Sequence, residues 1–106
     1  MNDDALHVKL AAEFGTVLAD GTEALAFRHR AIDPYIDLCE RVVLDFTGVR
    51  TANSSFTNAL VSGIVEHHGE AVLGKLVFKG CNPVVQVLVE AAIDLGLRKI
   101  AGRIDA

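Results

Sequence analysis

The sequence predicts an α/β domain, a small single-layer mixed sheet with helices, in the order β-(β)-α-β-α-β-α. Three observations carry this. Val42-Val43-Leu44-Asp45-Phe46 is short, β-branched and almost continuously apolar, the pattern of a central strand covered on both faces. A helical pattern follows it from about Ser54 to His68, with Phe56, Leu60, Ile64 and His67 on one side and Ala59 and Gly63 beside them. Asp33-Pro34 and Asn82-Pro83 each set a capping residue before a proline at the first helical position. Strands alternating with helices imply crossovers, which parallel neighbours require.

In chain order, Leu6, Val8 and Leu10 alternate with His7 and Lys9, so Ala5 to Phe14 reads as a half-buried strand ended by Gly15. Thr16-Val17-Leu18 is a second short strand before the Asp20-Gly21 turn. Thr22 to Glu40 is helical but broken near Pro34, which cannot donate inside a helix. Its second part presents Tyr35, Ile36, Leu38 and Cys39. Leu73 to Phe78 is a further strand among glycines. Asn82-Pro83 opens a helix through Ile93 and Leu95, with Gly96 as its stop. Leu97 to Ile104 fits an edge strand or a short helix equally.

Composition narrows the function classes. The chain of 106 residues is 51% apolar, which excludes disorder and suits one domain over residues 1–106. Its net charge of -4 and scattered Lys and Arg lack the footprint of a nucleic-acid binder. Arg28-His29-Arg30 reads as a solvated helix face. No apolar run is long enough to span a bilayer, and the acidic start MNDDALHVKL is unlike a signal peptide, so the expected place is the cytoplasm. Cys39 and Cys81, far apart and without C-x-x-C spacing, read as small core residues in a reducing compartment.

The chemistry-bearing residues cluster at the strand–turn–helix junction Val42–His68. A helix start such as Asn53-Ser54-Ser55 offers free N–H groups, which the Asn amide or a hydroxyl accepts from. The candidate partner-binding residues are therefore Asn53, Ser54, Ser55, Thr57 and Asn58, with Thr57, Asn58, Ser62 and Glu66 facing water. Asp45 pairs or caps at its strand's end. His67-His68 point about 100° apart on a helix and make no metal site. Glu66 and Glu70 read as solvated carboxylates. No phosphate-cradling glycine motif occurs. Catalytic residues, metal and cofactor are all expected to be none.

Leu44-Asp45-Phe46-Thr47-Gly48-Val49 followed by Ser54-Ser55-Phe56 resembles the D-[FL]-[ST]-G-V…D-S-S-G-L segment of STAS domains, the anti-sigma-factor-antagonist fold. It is closer to the STAS-like family of unknown function, whose segment reads roughly L-D-F-x-G-V…S-S-S-F-A-D-E-L. Arg28-x-x-Ala31 and Asn82-Pro83-Val84 extend the resemblance over most of the chain. In STAS antagonists the first serine of that segment is phosphorylated by a partner kinase, which abolishes binding. The resemblance implies Ser54 as the phospho-acceptor, with Ser55 as runner-up, and an anti-sigma-type ATPase-kinase as the kind of partner. The sequence departs from the pattern at Asn53, where STAS has Asp, and at Asn58-Ala59-Leu60, where the STAS-like segment has D-E-L. The expected function is a non-catalytic interaction module that works as a phospho-switch. The alternative is a small-ligand or nucleotide binder using the same helix N-terminus as an anion site.

Overall fold

The computed structural model describes residues 4–105. The chain runs through β1 (Ala5–Lys9), α1 (Leu10–Phe14), β2 (Val17–Leu18) and α2 (Gly21–Phe27), which continues as a π-helical turn at Arg28–Ile32. A single 3-10 turn at Ile36–Leu38 leads to β3 (Arg41–Asp45), β4 (Thr51–Ala52) and α3 (Ser54–Thr57). A second π turn, Asn58–Ser62, joins α3 to α4 (Gly63–His68). A 3-10 turn at Glu70–Gly74, β5 (Leu76–Lys79) and α5 (Pro83–Asp105) complete it.

The main sheet has the order β1-β3-β5, and β2 with β4 makes a small second sheet. Every described pairing is parallel, so the sheet is not mixed. Strand order advances in one direction, and right-handed crossovers then put every helix on the same face. The register agrees with this. Leu6, Val42 and Leu76 share a row, as do Val8, Leu44 and Phe78, and all six pack into the core. The opposite rows are His7-Val43-Val77 and Lys9-Asp45-Lys79. Among these only Val43 is buried. Among the described residues the helices cover one face of the sheet; on the other face Val43 is still buried, while its row neighbours His7 and Val77 are exposed.

Helices fill the covered side in one layer. Leu60 to Val65 are all buried, because this helix lies between α2 and α5 above the sheet. A helix enclosed all round cannot keep the polar side expected for it. Ser62 accordingly lies in the core rather than in water. Its hydroxyl finds no hydrogen-bond partner among the described residues. In a regular helix it would donate to the carbonyl four residues back, but the π turn gives Asn58 O to the Gly63 N–H. Ser62→Ala is therefore expected to stabilise the fold by about 1 kcal/mol, since it removes an unpaired buried hydroxyl. Urea denaturation of the two proteins checks this.

Arg28 is not solvated. It is 3% exposed and reaches across to the second π turn. The Gly63 N–H bonds Asn58 O and Leu60 O, which leaves Ala59 O free to accept from Arg28 Nη1 at 2.8 Å. Arg28 Nε donates to Asp33 Oδ2 at 3.2 Å, and Asp33 Oδ1 meets His68 Nε2 at 2.9 Å. The guanidinium fits only because Gly63 has no side chain, for a Cβ there would overlap Nη1. A charge-assisted pin thus locks α2 to the central helix.

The expected stop at Gly96 is also absent. α5 runs through it, because a Cβ at Gly96 would lie 2.8 Å from Val65 Cβ and 3.0 Å from Ser62 O. Gly96 serves close helix crossing, and Leu97 onward continues the helix instead of forming an edge strand. Three more expectations shift. The first strand turns helical at Leu10 and the last begins at Leu76, while the stretch after Pro34 holds one 3-10 turn with Tyr35 and Leu38 exposed.

Candidate functional site

The junction is set by its own turn chemistry. Leu44 and Phe46 are fully buried, and Val49 nearly so. Between them Asp45 Oδ1 accepts from the Thr47 N–H at 2.9 Å, closing the turn that ends β3. Gly48 has φ +90°, a conformation that suits glycine. Each position of Leu44-Asp45-Phe46-x-Gly48-Val49 therefore has a structural duty. Hydrogen bonds from Thr47, side chain before backbone, hold the Asp45 carboxyl below the usual carboxylate range, assisted by Lys79 and Lys9. A depressed folded value gives stability that is present above the unfolded value of about 3.9 and lost as pH falls through the folded one. Asp45→Asn is expected to flatten the acid limb of stability below about pH 4, measured by urea midpoints against pH.

The chain then turns upward into the helix. Asn53 Oδ1 accepts from the Phe56 N–H at 2.9 Å, and its Nδ2 donates to Ala19 O at 3.0 Å. The cap therefore also ties this helix to the start of α2, which Asp20 caps by accepting from Thr22 N and Glu23 N. A Cβ at Gly21 would lie 2.8 Å from Ser55 O, so the two helix N-termini sit against each other. Phe56, at the STAS glycine position, is buried edge-on to Phe14 at 5.0 Å. It anchors the helix start from below.

Asn53, Ser54 and Ser55 are exposed. The backbone N–H groups of Ser54 and Ser55 have no partner among the described residues. Thr57 does not belong to this surface. It is fully buried, and its hydroxyl donates to Asn53 O at 3.3 Å and Ser54 O at 3.4 Å. A fourth helical residue points back toward the core once Phe56 and Leu60 are inside, and Thr57 satisfies its hydroxyl on the preceding turn. Asn58 is half-buried, at the edge of the corner.

Beside the corner lies a surface that the sequence reading missed. Ala52, Pro83, Val84, Val87 and Leu88 line an open, apolar groove of about 460 Å³. Val84 is 54% exposed and Val87 65%. A signal was available: Val84, Val85, Val87, Leu88 and Val89 are more apolar side chains than one helix face can bury. Val85 and Val89 go inward, Leu88 is half-buried, and Val84 and Val87 are left outside. Asn82 starts this helix, accepting from the Val85 N–H at 2.9 Å and donating to Val49 O and Arg50 O.

The other singled-out residues lie elsewhere. His67 is exposed with its ring near His29, while His68 is bound to Asp33. Glu66 is not simply solvated, since it pairs with Arg103 and, at 3.7 Å, with Lys99 of α5. Cys39 and Cys81 are free thiols, half-buried rather than in the core. Burial and the Asp45 charge push the Cys81 thiol up, away from a reactive thiolate.

These features define a class: a parallel α/β domain with helices on one face and an exposed, serine-bearing helix corner. A family model described as STAS-like domain of unknown function (DUF4325) matches residues 23–86, from the first turn of α2 to the first turn of α5. The chain belongs to that STAS-like family. No curated protein and no solved structure matches it. Among the described residues no helix is long and apolar enough to cross a membrane.

Proposed function

We propose that this domain is a non-catalytic interaction module of STAS type. It docks a protein partner over Asn53, Ser54 and Ser55 and the adjoining apolar groove. The observation that supports this is continuity: an exposed polar corner with free N–H donors adjoins a strip of valines that the fold leaves uncovered. Polar residues bordering an apolar centre are the usual anatomy of an interface.

Ser54 is the switch residue of this reading. A phosphate there adds about 1.5 to 2 negative charges beside free N–H groups and a positive helix end, so the fold tolerates it. Covered by a partner without a counter-charge, the same group costs several kcal/mol. That is enough to release a partner bound in the micromolar range, about 8 kcal/mol. An anti-sigma-type kinase is the partner class to try first. The anion-binding alternative is less well supported. The cleft beside the corner is lined by Phe14, Val17, Ala19, Asp20, Glu23 and Phe56, and its two carboxylates repel an anion.

Affinity capture from native cells tests the reading, with Ser54→Asp and Val87→Asp run beside the unmodified domain. A partner retained by the unmodified domain and lost with either variant supports docking here. Loss with Ser54→Asp supports the switch as well. Equal capture by all three overturns the site.

A further inference from the structure

The second surface is the free edge of the main sheet, which does not depend on the corner. Val42 N–H donates to Lys75 O at 2.8 Å and Phe46 N–H to Lys79 O at 2.7 Å. Lys75 and Lys79 therefore turn their backbone toward β3, and by the alternation of a ladder Leu76 and Phe78 turn theirs outward. Those outward N–H and C=O groups have no partner among the described residues. Directly beside them, between β5 and α5, is a groove of about 400 Å³ lined by Phe78, Cys81, Gln86, Val89, Glu90 and Ile93. A strand added about 4.8 Å beyond β5 would lay its inward side chains in this groove.

We propose that the outer edge of β5 and the groove under α5 receive an extended segment of another protein, added as a fourth strand with an acidic residue opposite Lys79. The unpaired backbone groups select an extended backbone, as in other β-additions. Phe78, Val89 and Ile93 select apolar side chains on the inward positions, and Glu90 on the groove wall disfavours an acid there. The acid belongs on the outward side, where Lys79 is exposed. A second copy of this chain fits poorly. Antiparallel self-pairing centred on Val77 sets Lys75 opposite the copy's Lys79, and directly opposed like charges destabilise a pair. Lys75 Nζ is moreover already held by Ile36 O and Cys39 O, each at 2.9 Å.

The test uses an end-blocked peptide, Glu-Val-Thr-Val-Thr-Val-Glu, which reads the same in parallel or antiparallel pairing, and its counterpart with Lys at both ends. Amide shifts and amide exchange of the isotope-labelled domain are followed during titration. The expected result is saturable shifts and slowed exchange at the Leu76 and Phe78 amides. The acidic peptide should bind about fivefold tighter than the lysine one, with the preference reversed in Lys79→Glu. The proposal is overturned by silence at Leu76 and Phe78 up to about 1 mM peptide, by equal binding of the two peptides, or by shifts confined to the corner. Concentration-dependent dimerisation through β5 would also overturn it, because the occupant would then be a second copy. Either result leaves the Ser54 reading untouched.

Discussion

Gly63→Ala is expected to destabilise the domain by about 3 kcal/mol, although alanine is the better helix former by about 1 kcal/mol. The added methyl would overlap Arg28 Nη1, so the guanidinium must leave its site. It would give up the bond to Ala59 O and its place beside Asp33. Breaking a buried, hydrogen-bonded charge pair costs about 3 to 5 kcal/mol, which outweighs the propensity gain. The melting temperature should fall by roughly 15 °C. The sign depends on the arginine. In an Arg28→Ala background the site is already vacant, and Gly63→Ala should then stabilise by up to about 1 kcal/mol. Gly102→Ala is the control, since nothing lies within 4 Å of a Cβ there. It should be neutral or slightly stabilising in both backgrounds. Additive effects of Gly63→Ala and Arg28→Ala in a double-mutant cycle would rule out the pin.

Gly80→Ala should cost about as much by a different route. Gly80 has φ +72°, a region that costs other residues about 1 to 2 kcal/mol. Its Cβ would also overlap Thr47 Oγ1 and lie 2.7 Å from Thr47 N, the group held by Asp45. Backbone cannot swing away as a long side chain can, so the β3 and β5 turns must separate. We expect a loss of about 3 kcal/mol, read from urea denaturation. Thr47→Ala in the same chain should restore only part of it, because the backbone nitrogen stays in place. Full restoration would locate the whole effect in the hydroxyl.

Where the physics is local, the residues could be read directly. Asn53 and Asn82 cap the helices they precede, and Asp45 closes a strand end. The core strand Val42–Phe46, the helix beginning at Ser54 and the exposed Asn53-Ser54-Ser55 corner follow from such short-range chemistry. Arg28, Thr57, Ser62 and Gly96 could not be read in the same way. Arg28 needs a carbonyl released by a π turn 31 residues away. Gly96 resembles a helix stop until Val65 and Ser62 are found pressed against it.

By itself the sequence determined the central strand, the capped helix starts at Asn53 and Asn82, and that a hydroxyl-bearing turn follows the central strand. Hydrophobic period and capping act over a few residues, so one segment suffices to state them. Only the tertiary structure decided that the helices share one face of the sheet, and that the β5 edge is unpaired among the described residues. It also decided that Leu60 to Val65 of the middle helix are enclosed on every side and that two valines of α5, Val84 and Val87, stay in water beside the serines. These outcomes depend on which elements become neighbours, and packing between distant segments settles that, not the preference of any one of them.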